Sequence, residues 1–384
     1  MFSKDIRFKN FNLKIKNIRT KKNLKFLLNE KSELIKSLGN KYKNNYNFSI
    51  IKKLIKETKL IRIIGIGGSI LGAQTINDFL NHKIKKKIIF KNNLNLIIKK
   101  TNKKTANLII SKSGNTIETI INSTLLIKKK DKNILITENN SNYLNNLAQK
   151  LKAEVIHHNN YIGGRYSVLS EVGMLPAELM GLNVNNFRQL NNLIKNKSYL
   201  NSLILNVNSI LHYQKKNKFN SIIINYDEKS ENLFKWYQQL VAESLGKKGI
   251  GILPIISNMP KDNHSVLQLY LDGFKNNFFT FFYVNEKNSI KLNKQKFSGE
   301  FNFLNKKNLN QILFNQKKAT ENIFIKKKIP FRSFEVNSRS EKTLGEIFIF
   351  FILETILLAR ALNVNPFDQP SVELIKKETK NLLI

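Results

Sequence analysis

Short apolar runs closed by turns bearing glycine or serine recur along most of this chain, each followed by a stretch with apolar residues three and four apart. IRIIGI (61–66) is followed by GGS and a helical pattern to about Asn81. NLIIS (107–111) is followed by KSGNT and a helical pattern to about Lys130. NILIT (133–137) and AEVIH (153–157) are further strand candidates. Strands alternating with helices predict a parallel sheet covered on both faces. Residues 163–180 read as a turn leading into a helix, and about 186–216 as a helical connection. The alternation then resumes with FNSIIINY (219–226), a helix over 229–246, GILPII (251–256), a helix over 264–273 and FFTFFYV (278–284). Residues 287–337 are less regular and predict helices and loops, and two helices follow at about 341–362 and 371–382. Helix-like spacing through Leu24–Leu38 makes residues 1–60 a helical lead-in.

The expected fold class is α/β, with two αβα sandwich domains built on parallel sheets, plus terminal helices. The expected boundaries are 1–60 for the lead-in, 61–182 and 183–340 for the two domains, and 341–384 for the C-terminal helices. A length of 384 residues suits two domains.

Composition narrows the chemistry. With 41% hydrophobic and 24% charged residues the chain is globular in character. It has no cysteine, which excludes disulfides, thiolate metal sites and a cysteine nucleophile. Charges scattered through the first residues do not resemble a secretory signal. The most apolar stretch, 347–362, is interrupted by Glu354 and Arg360 and is short for a bilayer span, so it reads as a buried helix. A cytoplasmic protein with no membrane partner is expected. The net charge of +38 raises the question of nucleic acid. Yet only eight of the 65 cations are arginine, and the lysine runs at 85–87, 128–130 and 326–328 are dispersed without aromatic interleaving. Solvated surface is the better reading of those runs, and no nucleic-acid partner is expected. The positive field still favours anionic substrates.

In doubly wound sheets ligands sit at the carboxyl ends of strands, so the turns there are where chemistry is sought. The first is Gly65-Ile66-Gly67-Gly68-Ser69. Ile70 stands where a dinucleotide fingerprint needs its third glycine, and Ala73-Gln74 replaces the Lys-Ser/Thr of a P-loop. The second is Ser111-Lys112-Ser113-Gly114-Asn115-Thr116, whose hydroxyls and backbone N–H groups at a helix start form a phosphate cradle. Together they suggest a monophosphate site without metal. Arg165, in Gly163-Gly164-Arg165, presents a guanidinium suited to a developing oxyanion. Gln239 and Glu243 are four apart and share a helix face, where the carboxylate could serve as a base. His264 lies in the Asp262-Asn263-His264-Ser265 segment just before a helix. Gln369 and Lys376 belong to NPFDQPSVELIKK (365–377), in which two prolines fix a turn into the last helix.

Taken together these stretches resemble the glucose-6-phosphate isomerase family, built from two sugar-isomerase (SIS-type) domains. The resemblance is carried by GIGGSILG (65–72), SKSGNTIET (111–119), GGRYSVLSEVGMLPAELMGL (163–182), WYQQLVAESLGKKG (236–249), DNHSVLQLYLDG (262–273) and NPFDQPSVELIKK (365–377). It implies a cofactor-free enzyme that interconverts glucose 6-phosphate and fructose 6-phosphate through an enediolate, in glycolysis and gluconeogenesis. It implies Glu243 as the base moving a proton between C1 and C2, His264 and Lys376 as groups assisting ring opening, and Arg165 as the cation stabilising the enediolate. Gly68, Ser69 and Ser111, Lys112, Ser113, Gly114, Asn115 and Thr116 are implied as the phosphate site, with Gln239 and Gln369 on the substrate. A homodimer is implied, because in this family the histidine comes from the neighbouring subunit.

This sequence departs from the family's pattern at Asn115, where threonine is common, at Asn263, where glutamine is common, and at Ser371, where glycine is usual. Asn115 is expected to remove one hydroxyl contact to phosphate. Two rival readings are a dual glucose/mannose phosphate isomerase, which lacks the stretches at 264–273 and 365–370, and a sugar-phosphate-binding regulator without catalysis, which needs a DNA-binding module.

Overall fold

The computed structural model describes residues 3–13, 15, 17–94, 104–128, 130–292 and 296–384. Lys129 of the 128–130 lysine run and residues 293–295 lie outside the described residues.

A short strand, β1 (Ile6–Lys9), precedes three helices: α1 (Ile18–Asn29), α2 (Glu33–Ser37) and α3 (Phe48–Leu54). The first sheet then unfolds along the chain as β2 (Leu60–Ile64), α4 (Leu71–Phe79), β3 (Lys87–Lys91), β4 (Thr105–Ile110), α5 (Ile117–Leu126), β5 (Lys132–Thr137), α6 (Tyr143–Leu151) and β6 (Glu154–His157). Helices α7 (Glu171–Leu179), α8 (Leu190–Leu193) and α9 (Lys197–Lys215) lead to β7 (Asn220–Asn225), α10 (Glu231–Leu245), β8 (Leu253–Asn258), α11 (Leu267–Asp272), β9 (Asn277–Val284), α12 (Leu309–Lys326) and β10 (Phe331–Val336). The chain closes with α13 (Glu341–Ala361) and α14 (Pro370–Leu383).

The first sheet is fully parallel in the order β3-β2-β4-β5-β6, and the second runs β1-β10-β9-β7-β8. In the second sheet only β1 is antiparallel, pairing with β10 from Ile6 opposite Val336 to Lys9 opposite Ser333. Residues 6–9 therefore correct the reading of 1–60 as a purely helical lead-in: the start of the chain completes the edge of the second sheet. Every residue of β2, β4 and β9 is buried, as expected for strands with helices on both faces. One apolar cluster joins the inner faces of both sheets through Ile63, Leu108, Phe282, Phe334 and the apolar residues of α13 from Leu344 to Ala359. Smaller clusters back the outer faces, with Ile64, Ile109 and Leu135 on the first and Ile222, Phe279 and Phe281 on the second.

Helix α13 is the predicted buried helix, and eighteen of its residues are buried, from Glu341 to Ala359. Among the described residues no helix is long and apolar enough to cross a membrane. Its Glu354, fully buried, pairs with the equally buried Arg332 of β10. The pair is satisfied by further hydrogen bonds: Arg332 Nε to Thr280 (2.9 Å), Arg332 Nη1 to Asn206 (2.8 Å) and the Tyr237 hydroxyl to Glu354 (3.2 Å). A buried charge persists only with this kind of complete pairing. It also anchors Tyr237, and with it α10, against the body of the molecule.

Helix α10 is the element on which the site depends. Its residues Leu233, Trp236, Leu240 and Ser244 are buried at three- and four-residue spacing, the stripe a core-facing helix requires. Gln239 and Glu243 flank that stripe, half-buried, on the side facing the first sheet.

Candidate active site

The site begins at the carboxyl end of β2, at the point where the first sheet's strand order reverses between β2 and β4. Gly67 adopts φ +54°, and a Cβ there would lie 2.9 Å from Gln239 Nε2. Gly68 is packed more tightly still. A Cβ on it would sit 2.3 Å from the Gly164 carbonyl carbon and 2.5 Å from the Arg165 nitrogen. The β2 loop therefore touches the Arg165 loop backbone to backbone, which no residue with a side chain permits. Gly68→Ala is expected to lower the unfolding free energy by about 1–3 kcal/mol, measured by urea titration, because backbone cannot yield as a flexible side chain would.

Arg165 follows in the turn of 3₁₀ helix Gly164–Leu169, and its side chain is 3% exposed. Its Nε donates to Ser244 Oγ (2.9 Å). Its Nη1 donates to Glu243 Oε2 (3.0 Å) and Gln369 Oε1 (2.6 Å). Its Nη2 donates to the carbonyls of Pro366 (2.6 Å) and Asp368 (3.1 Å). All five donors of the guanidinium are thus engaged. The other Glu243 oxygen, Oε1, accepts from Gln239 Nε2 at 2.9 Å. Gln239 Oε1 is buried and has no hydrogen-bond partner among the described residues. The Trp236 indole donates to the Arg165 carbonyl (3.1 Å), and the Tyr166 hydroxyl shares Ser244 Oγ (2.8 Å). Burial pushes the Tyr166 phenol up from its ordinary pKa.

The second turn lies beside the first. A Cβ on Gly65 would meet the Ile110 carbonyl at 3.0 Å, so the Ser111–Thr116 turn starts in contact with the β2 loop. Ser111 is buried and its hydroxyl bonds to that of Thr116 (2.9 Å). Gly114, at φ +66°, leaves room for the Asn142 side chain. The Asn115 N–H donates to Ser113 Oγ (3.3 Å), while Asn115 Oδ1 accepts from the Tyr143 amide at the start of α6 (3.0 Å). Asn115 thus serves as a helix-capping group. Lys112 is held by the Asn160 carbonyl (2.9 Å) and Glu138 (3.4 Å). His158, next to the end of β6, is buried, and that burial pushes its pKa down to about 4.

Of the residues singled out by sequence, Gly68, Arg165, Gln239, Glu243 and Gln369 meet in one cluster, with Ser69 in the same loop as Gly68 and the Ser111–Thr116 turn adjoining it. His264 and Lys376 do not join it. His264 is exposed in the 3₁₀ turn Lys261–His264 and shares none of these contacts. Lys376 stands on α14, paired with Glu373 of the same helix (2.7 Å). Sequence reasoning missed Ser244, Trp236 and Lys247, and the carbonyls of Pro366 and Asp368. Ser244 is signalled only by its place beside Glu243, and backbone acceptors leave no sequence signal at all.

Comparisons with known proteins agree on a relationship. The family model described as phosphoglucose isomerase matches residues 29–253. The glucose-6-phosphate isomerase of Methanocaldococcus jannaschii is 30% identical over 346 residues, covering 82% of each chain. That of Mycoplasmopsis pulmonis is 32% identical over 377 residues, covering 88% of each. Among solved structures, a hypothetical protein from Thermus thermophilus superposes with a TM-score of 0.81 at 20% identity, covering 95% of this chain and 94% of that one. A glucose-6-phosphate isomerase from Chlamydia trachomatis gives 0.71 at 19% identity, covering 87% and 71%. At these identities the structural matches establish the shared two-sheet sugar-isomerase fold. The family match over more than half of the chain and the extent of the sequence relatives settle the kinship: this chain belongs to the phosphoglucose isomerase family.

Proposed function

We propose that this chain is a glucose-6-phosphate isomerase, interconverting glucose 6-phosphate and fructose 6-phosphate through an enediolate, in glycolysis and gluconeogenesis, without a cofactor. The observation that carries the reading is the Glu243 carboxylate set between Arg165 and Gln239, beside two glycine- and serine-bearing turns at a sheet switch point. Aldose–ketose isomerisation requires a carboxylate base, a charge to stabilise the enediolate and a grip on the phosphate, and the cluster supplies each.

Ser69 and Ser111 to Thr116 hold the phosphate, with hydroxyls and N–H groups at the N-terminus of α5. Glu243 takes the proton from one carbon and returns it to its neighbour. Arg165 stabilises the negative charge that develops on the enediolate oxygens. Gln239 Oε1, buried and without a partner among the described residues, accepts from a sugar hydroxyl in this reading, and Gln369, held by Arg165, contacts the substrate too. His264 and Lys376 assist ring opening. A homodimer supports these two roles. Helix α14 has no buried residue, and its apolar Val372, Ile375, Leu382 and Leu383 stand exposed. A second copy covering that helix would steady Lys376 and bring its own exposed His264 to this site. The cytoplasm, where sugar phosphates are metabolised, is the proposed location.

A coupled assay converting fructose 6-phosphate to glucose 6-phosphate tests the reading, run with chelator and with mannose 6-phosphate in parallel, alongside the mass in solution by light scattering. Chelator-insensitive turnover with a clear preference for fructose 6-phosphate, from a dimer, is the expected result. Absence of turnover, with salt-dependent DNA binding instead, would favour a regulator.

A further inference from the structure

Lys247 follows the last turn of α10 and its side chain is 11% exposed. Its ammonium donates to the carbonyls of Glu243 (2.9 Å) and Ser244 (3.0 Å), which the end of the helix would otherwise leave unpaired. It also donates to the carbonyl of Asn365 (2.6 Å) and lies 3.2 Å from Asp368 Oδ1. One cation therefore spans the end of the helix bearing Glu243 and the turn bearing Gln369. Burial pushes its pKa down, and the facing Asp368 and Glu243 favour its charge while Arg165 opposes it.

The 365–369 turn is held by few other contacts, one of them the Phe367 ring against that of Tyr166, 5.7 Å between centroids. Of its residues only Pro366 is buried, Phe367 is 49% exposed, and α14, which starts directly after Gln369, buries nothing. Hydrogen bonds from Arg165 and Lys247, with one from Tyr166 to the Pro366 carbonyl (3.2 Å), fix its place. Arg165 is itself the group whose charge matters in the reaction. Lys247 grips the same turn from outside the cluster, and among the described residues its ammonium bonds to none of the side chains of Gln239, Gln369 or either phosphate turn.

We propose that Lys247 is a positioning residue for the isomerisation: it clamps the 365–369 turn to the end of α10, holding Gln369 and Arg165 in register with Glu243. The inference rests on the isomerase reading above. Because the clamp acts on the groups that meet the enediolate and not on the phosphate turns, its loss falls on kcat and spares KM. Displacement of reacting groups by about 1 Å can cost about 10²-fold.

The absence of cysteine from this chain allows a test by chemical rescue. Lys247→Cys carries a single thiol, which 2-bromoethylamine converts to a lysine isostere bearing the ammonium, whereas iodoacetamide leaves a neutral amide. Alkylation is carried out in urea, followed by refolding, and kcat and KM for fructose 6-phosphate are compared. The cysteine variant and its neutral adduct are expected to lose about 10²-fold in kcat with KM changed by no more than about threefold, and the aminoethylated protein to recover most of the loss. A kcat within about twofold of the unmodified chain, equal rescue by both reagents, or a loss carried wholly by KM would each overturn the inference. Should the cysteine variant not refold, Lys247→Gln answers the same question. Its shorter amide can still cap the helix but cannot reach the turn, so the same kcat loss supports the clamp and near-normal kcat overturns it. An unmodified chain without isomerase activity would instead overturn the functional reading itself.

Discussion

Glu243→Gln is expected to reduce kcat by about 10²–10⁴-fold, the contribution of a positioned general base, with the fold intact. The substitution keeps the shape of the side chain and removes only its ability to take a proton. Its neighbours can absorb the change. The oxygen of the new amide can accept from Arg165 Nη1 where Glu243 Oε2 does so now at 3.0 Å. The amide nitrogen then faces Gln239, whose unpartnered Oε1 can rotate to accept from it. The rotation leaves one buried Gln239 atom without a partner, as there is now, so the melting temperature should stay close to that of the unmodified chain. Since the base acts in the transition state and not on the phosphate, kcat and kcat/KM should fall together. Steady-state kinetics and a thermal melt on one preparation check both halves, and near-normal turnover would remove Glu243 from its assigned role.

Arg165→Lys is expected to lower kcat by about 10²–10³-fold, in the range found when an oxyanion-stabilising donor is removed, although the charge is conserved. Lysine is a single point charge with three donors, and Arg165 uses five to join Ser244, Glu243, Gln369 and the carbonyls of Pro366 and Asp368. The variant must abandon some of these acceptors at a site that is 3% exposed. A stability loss of about 1–3 kcal/mol for an orphaned buried acceptor should accompany the kinetic defect, read by urea titration. A variant that retained wild-type kcat would show that any cation at this position suffices and that the fork geometry is irrelevant.

The legible parts of this fold are those whose burial is written locally. Strands β2, β4, β5, β7 and β9 read as apolar runs because sheet and helices bury them on both faces. Three strands are not visible in this way. β1 is four residues long and alternates, with Arg7 exposed beside buried Ile6. β3 is an edge strand with lysine at both ends and no residue buried. β10 carries Arg332, which belongs in a core only because Glu354 meets it from a helix twenty-two residues on, a pairing no local pattern displays. The apolar run GILPII begins two residues before its strand, since Gly251 and Ile252 connect the Lys247–Ile250 bridged turn to the strand and ladder pairing begins at Leu253.

The site divides in the same way. Gly68, Ser111, Arg165, Gln239 and Glu243 stand out because glycine turns, hydroxyl clusters and helix spacing are sequence features, and Gln369 because it sits between prolines. Lys247 looks like any of dozens of lysines, since its partners are three carbonyls and an aspartate more than a hundred residues on. His264 and Lys376 read as parts of the same constellation, but in the single chain both stand exposed and apart from it. Asn115, expected to remove one hydroxyl contact to phosphate, accepts from the Tyr143 amide at the start of α6, a bond no local pattern displays.

The proposed chemistry turns on a proton carried by Glu243 between neighbouring carbons, and solvent isotope reports it. Fructose 6-phosphate incubated with the enzyme in D₂O, followed by NMR of the recovered sugar phosphates, should show deuterium entering C2 of glucose 6-phosphate and C1 of fructose 6-phosphate. Glu243→Gln should slow that exchange as strongly as it slows turnover. Interconversion that never admits deuterium, or exchange that persists undiminished in the Glu243→Gln variant, would contradict it.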